Sequence, residues 1–401
     1  MKIAYLSRNF PVSSECFLPR EIQSLHECGA AISIYALGGS LVNEWKNQSV
    51  HTLSIIEWAS IVFWKLYWII KRPMQSIAIF RELYFATGSP NSIANFFETL
   101  WGVWAGMVIA HKLKGRVDVI YANEGGMSST AAWVVSIFTD TPFAFGVQAH
   151  DVIPSGGDWL LEVKCRAAAF VRTFSDGTKK RLIDKFSWIR DRVEVIRPGL
   201  LAIPEQVPVR LKHDVMRCLS VGPLTERKGY FDLLNIYAAL REAEHPFEAH
   251  IIGKGPLKAK LEQRIESLGL RGHVRIIPMA SPNQLLEQYL WADLFFYTGK
   301  PTELGDIDDA PSAILEAMAT SLPVLTTPVE SVLEVVTAGY TGMVGPFGDT
   351  GTWLQIIQTL KSDSELTALL VKHSREWAET HFDARESARQ LLAAIAKGAT
   401  G

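Results

Sequence analysis

The chain has 401 residues, enough for two domains, and a small module with a single core is excluded. Hydrophobic residues make up 48% and charged residues 20%, which excludes wholesale disorder, a collagen-like repeat and a disulfide scaffold. The formal net charge of -2 provides no broad positive field, so we do not expect nucleic acid as a partner. The first 200 residues hold 21 basic and 17 acidic residues and the others 19 and 25, giving net charges of +4 and -6.

Cysteine usage and the amino end both predict a cytoplasmic protein. The four cysteines have no CxxC or zinc-ligand spacing, which is typical of a reducing compartment. Arg8 interrupts the apolar run that a signal peptide needs, so the opening segment predicts a buried strand. The longest apolar stretch, 58–70, contains Lys65 and is shorter than the roughly 20 residues that span a bilayer, so no membrane span is expected.

Short β-type runs recur along the chain and are separated by amphipathic stretches. Such alternation predicts parallel sheets with helices on both faces, an α/β fold. The runs in the first half are 3–7, 31–35, 117–122, 142–147, 169–174 and 193–196, and those in the second half are 217–222, 248–253, 274–277, 293–297 and 323–327.

Between the two sets of runs lies a polar segment with two prolines, which predicts a linker between two doubly wound domains. From about Glu365 to Lys397 the periodicity is helical, and this end is expected to pack back on the first domain. The predicted boundaries are 1–200 for the first domain, 201–214 for the linker, 215–375 for the second domain and 376–401 for the returning helix.

A dinucleotide-binding function is disfavoured by the segment that follows the first strand. This segment reads SRNFPVSSE and lacks the GxGxxG turn that lets a pyrophosphate approach the backbone.

The segment 306–327 carries two carboxylates at a distinctive spacing. Pro311 suits the first turn of a helix, which puts Asp308 in the approach loop and Glu316 on the second helical turn. Glu316 is the only charge between Asp309 and Glu330, so it should have a polar partner; a surface glutamate on an ordinary helix is the alternative. The amino end of the helix offers free N–H groups to a diphosphate, and its residues here are Ala310, Ser312, Ala313 and Ile314.

Two turns after predicted strands are further candidates for ligand binding. The first carries Thr225, Arg227 and Lys228 at the usual ligand edge of an α/β sheet, although a solvated charged turn has the same pattern. The second, Gly253 to Pro256, has Gly253 and Gly255, which let the backbone approach a planar or phosphate ligand; an ordinary strand-to-helix turn is the alternative.

Taken in order, these segments resemble the retaining glycosyltransferase family 4, whose members are GT-B nucleotide-sugar glycosyltransferases. The matching motifs are VGPLTERKG, GKGP, Asp308 spaced before Glu316 in ILEAMATSLPV, and EVVTAGYTG at 334–342. The opening FPVSSECFLPREIQSL at 10–25 is similar to members that build bacterial exopolysaccharides such as colanic acid. The resemblance covers almost the whole chain and implies two Rossmann-like domains that face a cleft, with an acceptor-binding first domain and a donor-binding second domain.

The resemblance also implies roles for single residues. Lys228 would bind the donor diphosphate, Glu316 the ribose hydroxyls and Asp308 the transferred sugar. His150, after the strand PFAFGV, would hydrogen-bond the donor sugar or the departing phosphate, although a lone histidine is more often structural; Asp151 beside it is the second choice. The turn at Pro278 and Met279 would lie against the nucleobase.

Four positions depart from the family pattern. Pro223 replaces a diphosphate-binding arginine, for which Arg227 is the candidate substitute. Asp308 replaces a glutamate, and Glu330 and Ser331 replace a frequent Gly-Gly pair.

The function implied is a retaining, metal-independent hexosyltransferase of polysaccharide biosynthesis, with a nucleoside diphosphate sugar as donor and a glycan or polyprenyl-linked glycan as acceptor. No cofactor and no metal site are expected, because the spacing of Asp308 to Glu316 explains Asp308 better than a DxD motif does. The alternatives are a catalytically degenerate sugar-nucleotide-binding partner of another transferase, and a nucleotide-sugar epimerase on the same fold.

One further helix suggests a peripheral contact with the inner face of the membrane. Residues 58–72 place Trp64, Lys65 and Trp68 along one helical side, followed by Lys71 and Arg72. Aromatic residues beside cations are typical of a helix at the membrane interface, and an internal core helix is the alternative.

Overall fold

The computed structural model describes most of the chain, in two compact units. Among the described residues, one unit comprises 1–11 and 17–199 together with the segment from Ala384 onward, and the other runs from Leu200 to Asp383. The described residues are 1–11, 17–40, 42–46, 48–53, 60–86, 93–113, 115–153, 157–200, 214–278, 281–303, 305–309 and 312–400. Most of the expected linker, 201–213, therefore lies outside the described residues.

The first unit contains an eight-stranded sheet in the order β3-β4-β2-β1-β5-β6-β7-β8, as far as the described residues show. All neighbouring strands are parallel except β3 and β4. The strands are β1 (Lys2–Ser7), β2 (Ala31–Ala36), β3 (Glu44–Trp45), β4 (Gln48–Thr52), β5 (Val119–Ala122), β6 (Phe143–Val147), β7 (Val171–Thr173) and β8 (Val193–Val195).

Helices cover both faces of this sheet, and its central strands are therefore buried on each side. The helices of the first unit are α1 (Phe17–Glu27), α2 (Ile61–Lys71), α3 (Pro73–Phe85), α4 (Ile93–Leu113), α5 (Gly126–Thr139), α6 (Ala149–Val152), α7 (Leu161–Ala167), α8 (Asp176–Lys185) and a 3-10 helix at Ser187–Arg192.

The second unit contains a six-stranded sheet in the order β11-β10-β9-β12-β13-β14 within the described ranges, and its paired strands are parallel. Its strands are β9 (Met216–Val221), β10 (Phe247–Ile252), β11 (Val274–Ile277), β12 (Leu294–Tyr297), β13 (Val324–Thr326) and β14 (Met343–Val344). Its helices are α9 (Tyr230–Glu242), α10 (Lys258–Ser267), α11 (Pro282–Trp291), α12 (Ser312–Ala319), α13 (Glu330–Leu333), α14 (Thr350–Ser362), α15 (Ser364–His381) and a 3-10 helix at Glu226–Lys228.

The helical carboxy-terminal end is two helices that belong to different units. Helix α15 stays in the second unit, and α16 (Ala384–Thr400) begins after a break at Phe382 and Asp383. Within the first unit α16 packs against α1, and Arg385 forms an ion pair with Glu27 (Nε to Oε2, 3.2 Å). The final helix therefore returns to the first unit, but it begins at residue 384 and not at 376.

Helix α4 is long and apolar enough to cross a membrane by length and composition, and half of its most apolar stretch is buried. Its partner is α5: a Cβ at Gly102 would lie 2.6 Å from the Met127 carbonyl oxygen, and one at Gly106 would lie 2.8 Å from that of Ala131. These two glycines let the helices touch along their backbones, so α4 packs as a core helix of the first unit.

Candidate active site

The second sheet reverses its strand order between β9 and β12, which lie side by side at its centre. Ligands of open α/β sheets bind at such a switch point, beyond the carboxyl ends of the strands. Lys228 follows β9, Tyr297 is the last residue of β12, and Asp308 lies in the loop after β12. The topology thus brings to one edge residues that are up to 80 positions apart in sequence.

At this edge the Lys228 ammonium donates to the Asp308 carboxylate, and both side chains are more than nine-tenths buried. The Tyr297 hydroxyl donates to the same carboxylate oxygen at 2.9 Å. The Lys228 Nζ also lies 5.2 Å from the centre of the Tyr297 ring. An ammonium has three donors, so Lys228 can hold Asp308 and still donate to a phosphate oxygen.

Arg227 adds a second positive charge to the same carboxylate. Its Nε lies 3.9 Å from Asp308 Oδ1, and its Nη1 lies 3.5 Å from Asp306 Oδ2. Burial raises the pKa of Asp308, but the charges of Lys228 and Arg227 and the hydrogen bonds from Lys228 and Tyr297 outweigh it, so the net pKa is lowered. Asp308 is therefore an ionised carboxylate at neutral pH.

Two groups in the turn after β9 leave bonding capacity for a ligand. Thr225 Oγ1 and Arg227 Nε are buried and have no hydrogen-bond partner among the described residues. Buried polar groups are normally satisfied, so such groups at a switch point favour a polar ligand.

Glu316 lies on the second turn of α12, as predicted, and its expected polar partner is a tyrosine. The Tyr289 hydroxyl, from α11, lies 2.9 Å from Glu316 Oε2 and 3.2 Å from the Ala313 carbonyl oxygen. Tyr289 is only 2% exposed, so its hydroxyl holds the carboxylate from the protein interior. The alternative of a freely solvated surface glutamate is thereby excluded.

Gly253 and Gly255 allow the turn after β10 to pack closely on the turn after β9. A Cβ on Gly253 would lie 1.9 Å from the Gly222 carbonyl oxygen, and one on Gly255 would lie 2.5 Å from that of Leu224. Leu224 N–H also donates to the Lys254 carbonyl at 2.8 Å. The turns after β9 and β10 are therefore one hydrogen-bonded unit.

The other predicted binding residues lie around this edge with different exposure. Pro256 and Pro278 are exposed, Thr225 and Ser312 are half-buried, and Ala313 is buried. The Ile314 side chain is fully buried in the core, so only its backbone can serve a ligand. Met279 and Ala310 lie outside the described residues.

His150 belongs to the first unit and lies in the short helix α6, just after β6. Its ring is 46% exposed, and its Nε2 lies 3.3 Å from Oδ1 of the buried Asp151. Burial raises the pKa of Asp151, and the neighbouring His150 opposes this effect. Asp151 also accepts a bond from Gln148 N–H at 2.8 Å, so it holds the turn that presents His150.

The sequence did not reveal three residues that shape the site, namely Tyr297, Tyr289 and Ser331. The Ser331 hydroxyl donates to the Asp308 backbone carbonyl. Tyr297 ends the apolar run LFFY, and Tyr289 shares the buried side of an amphipathic helix with Leu285, so both resemble core residues. Ser331 was noted only as a departure from the family pattern. A tyrosine that ends a buried strand at the ligand edge is the signal that could have indicated Tyr297.

Two Rossmann-like α/β units are the architecture of the GT-B class, and the second unit has a buried carboxylate and cation at its switch point. Residues 205–377 match the family model described as Glycosyl transferases group 1. Most of the second unit is therefore similar in sequence to group 1 glycosyltransferases, and the resemblance to a glycosyltransferase family that the sequence indicated is confirmed.

Two curated relatives extend the likeness. The amylovoran biosynthesis glycosyltransferase AmsK of Erwinia amylovora is 30% identical over 205 residues, half of each chain. The colanic acid biosynthesis glycosyltransferase WcaL of Escherichia coli K12 is 24% identical over 418 aligned positions, 98% of this chain and 99% of the relative. The solved structure of Anabaena HepE with UDP and glucose has a TM-score of 0.70 at 17% identity and covers 99% of both chains, which confirms the GT-B fold.

Proposed function

We propose that the chain is a retaining hexosyltransferase that moves a hexose from a nucleoside diphosphate sugar to a glycan or lipid-linked glycan in exopolysaccharide biosynthesis. The observation that carries the proposal is the buried Lys228–Asp308 pair at the sheet's switch point, in the region that matches group 1 glycosyltransferases. The names of AmsK and WcaL support the pathway, and HepE, solved with UDP-glucose, makes that sugar nucleotide the first donor to test.

In the proposed mechanism Lys228 and Arg227 bind the donor diphosphate and stabilise its charge as it leaves. The amino end of α12 supplies N–H groups to the same anion. Asp308, ionised and fixed by Tyr297, faces the sugar and favours the positive charge that develops there. Glu316 accepts hydrogen bonds from the ribose hydroxyls, and His150 contacts the sugar or the departing phosphate. The acceptor attacks from the face that the leaving group vacates, so the anomeric configuration is retained.

Metal independence is part of the proposal and has a physical basis in two contacts. Asp306 and Asp308, which have DxD spacing, are engaged by cationic side chains of the protein, Asp306 by Arg227 and Asp308 by Lys228. A divalent ion would have to displace both. The charge on the leaving diphosphate is instead balanced by Lys228 and Arg227. As a separate part of the proposal, we expect the enzyme to work in the cytoplasm, at the inner face of the membrane.

The test is release of the nucleoside diphosphate from UDP-glucose and then from a panel of other sugar nucleotides, with and without a lipid-linked glycan acceptor. The proposal predicts acceptor-dependent transfer, and NMR of the product gives its anomeric configuration. An inverted product would refute retention. Binding without transfer would favour the degenerate partner, to which Pro223 and Asp308 point, and a new sugar nucleotide formed without acceptor would favour the epimerase.

A further inference from the structure

Large hydrophobic side chains are exposed on one stretch of the first unit. Twelve of the twenty that are exposed among the described residues fall between residues 62 and 97. We call this set the apolar surface; it lies on α2, α3 and the start of α4. Its members are Val62, Phe63, Leu66, Ile69, Ile70, Met74, Ile77, Phe80, Tyr84, Phe85, Ile93 and Phe97.

The packing of α2 decides which of its sides is free. Trp68 is 3% exposed, stacks on Phe138 with a centroid distance of 4.5 Å, and donates from Nε1 to the Met107 carbonyl at 2.8 Å. Trp64 is half-buried, with its ring 4.2 Å from that of His111. The burial of Trp68 contradicts the expectation that this tryptophan lies at the membrane interface, and Trp64 is only partly exposed. They anchor α2 to the core, and its aliphatic side faces outward.

Positive charge accompanies the apolar surface. Residues 61–85 contain four basic side chains, Lys65, Lys71, Arg72 and Arg81, and one acidic side chain, Glu82, a net charge of +3. Lys65 and Lys71 are exposed, and the Lys65 Nζ lies 5.6 Å from the centre of the Phe80 ring. Arg72 bonds Asp140 at 2.7 Å and Arg81 bonds Glu82 at 2.9 Å, so Lys65 and Lys71 are the cations most available to an external anion.

We infer that the apolar surface docks on an anionic lipid bilayer. Single exposed hydrophobic residues are ordinary, but the concentration of twelve of them on three consecutive described helices marks an interaction surface. Long aliphatic and aromatic side chains next to lysines match the boundary between acyl chains and anionic headgroups. This inference deepens the proposed function, since it names the surface on which a lipid-linked acceptor would be met, but it rests on α2 and α3 and not on the catalytic residues.

The test is sedimentation of the full chain with vesicles of phosphatidylglycerol and phosphatidylethanolamine, without donor or acceptor. The apolar variant is Leu66→Glu with Ile70→Glu, and the matched control is Leu333→Glu with Leu369→Glu, two exposed leucines of the second unit. We expect the apolar variant to lower the partition coefficient at least tenfold and the control to leave it unchanged. Replacing Lys65 and Lys71 by Gln should lower it about fivefold per cation, and salt should weaken binding of the parent.

Three results would overturn the inference: no vesicle binding by the parent chain, apolar-variant binding equal to the parent's, or a parent dimer that this variant dissociates in the absence of lipid. The last would make the surface a contact between copies of the chain. If the apolar variant melts early, the Lys65 and Lys71 pair decides, because both side chains are exposed. Donor hydrolysis in vesicle-free solution should be the same in parent and variants, so a failure of docking and a failure of the proposed transferase function give different results.

Discussion

The Lys228–Asp308 pair offers a direct test of how the site is held together. Removing one member of a buried ion pair leaves the other uncompensated and costs about 3 to 5 kcal/mol. For Lys228→Met we expect the lower value, about 3 kcal/mol, because Arg227 and Tyr297 still contact the Asp308 carboxylate. For Asp308→Asn we expect a similar loss, because the ammonium of Lys228 stays buried.

The double variant, with both substitutions, removes both charges together. Its loss should fall short of the sum of the single losses by about 2 to 3 kcal/mol, within the range measured for residues that share one ion-pair network. The measurement is amide hydrogen exchange in peptides that cover β9 and β12, because these report the opening of the second unit separately from the first. Additive losses, within about 0.5 kcal/mol, would refute the coupling.

The same pair predicts the direction of the pH dependence. The folded-state pKa of Asp308 is lowered, so its ionisation stabilises the fold above the unfolded-state pKa of about 3.9, and this stability is lost as the pH falls through the folded-state pKa. Lys228→Met should therefore flatten the loss of stability in acid. An unchanged acid profile in this variant would show that another carboxylate dominates.

Further predictions concern nucleotide binding and transfer, the role of metal, and the backbone of the turn that follows Lys228. Glu316→Gln should weaken the binding of both the free nucleoside diphosphate and the intact donor, measured by calorimetry, and Tyr289→Phe should weaken both about fivefold through one lost hydrogen bond. Asp308→Asn should lower transfer with little effect on the binding of the free nucleotide. The control Glu365→Gln, on an exposed residue of α15, should change neither binding nor transfer. Transfer should survive EDTA, and complete loss that manganese restores would mean that Asp306 and Asp308 hold a cation. Gly229→Ala should destabilise the second unit by more than about 2 kcal/mol, because the φ of Gly229 is +65° and a Cβ there would lie 1.7 Å from the Thr298 carbonyl oxygen. The control is Gly272→Ala, where φ is +92° but an added Cβ would have no atom within 4 Å, so it measures the cost of the backbone conformation alone.

The sequence predicts the central strands well because strands buried on both faces are continuous apolar runs. Each of the eleven predicted runs overlaps a strand of the structure. The strands that were not predicted are peripheral: β4 (Gln48–Thr52) contains a single large apolar residue, Val50, and β3 and β14 have two residues each. Backbone pairing with a neighbour defines these three strands, and side-chain patterns do not record it.

The break before α16 left a trace in the sequence that a periodicity argument overlooks. Asp383 is followed three residues later by Glu386, the spacing of a capping box, and so indicates a new helix after Phe382. Apolar periodicity continues on both sides of the break, so periodicity alone did not place the start of the final helix at residue 384.

For the site, spacing along one segment places Asp308 and Glu316, but the groups that fix them come from other elements. Tyr297 is 11 positions from Asp308, and Tyr289 is 27 positions from Glu316. Their hydroxyls are the only polar atoms on otherwise apolar side chains, so a hydropathy pattern assigns both to the core. The Tyr289 hydroxyl reaches from α11 to α12, and the Tyr297 hydroxyl reaches from the end of β12 to the following loop, so both core residues act as hydrogen-bond donors.

Two departures from the family pattern meet at one place in the structure, and this bears on the degenerate alternative. Ser331, in the position of a glycine, donates to the backbone carbonyl of Asp308, the aspartate that replaces a glutamate. The shorter carboxylate is engaged by Lys228 and Tyr297, so the loop that carries it is held both through its backbone and through its side chain. Loss of function would leave a site free to lose such contacts, because nothing would then select for a buried carboxylate that is costly to desolvate. A buried, ionised Asp308 with this many partners argues instead for a working carboxylate whose surroundings have adapted to its length.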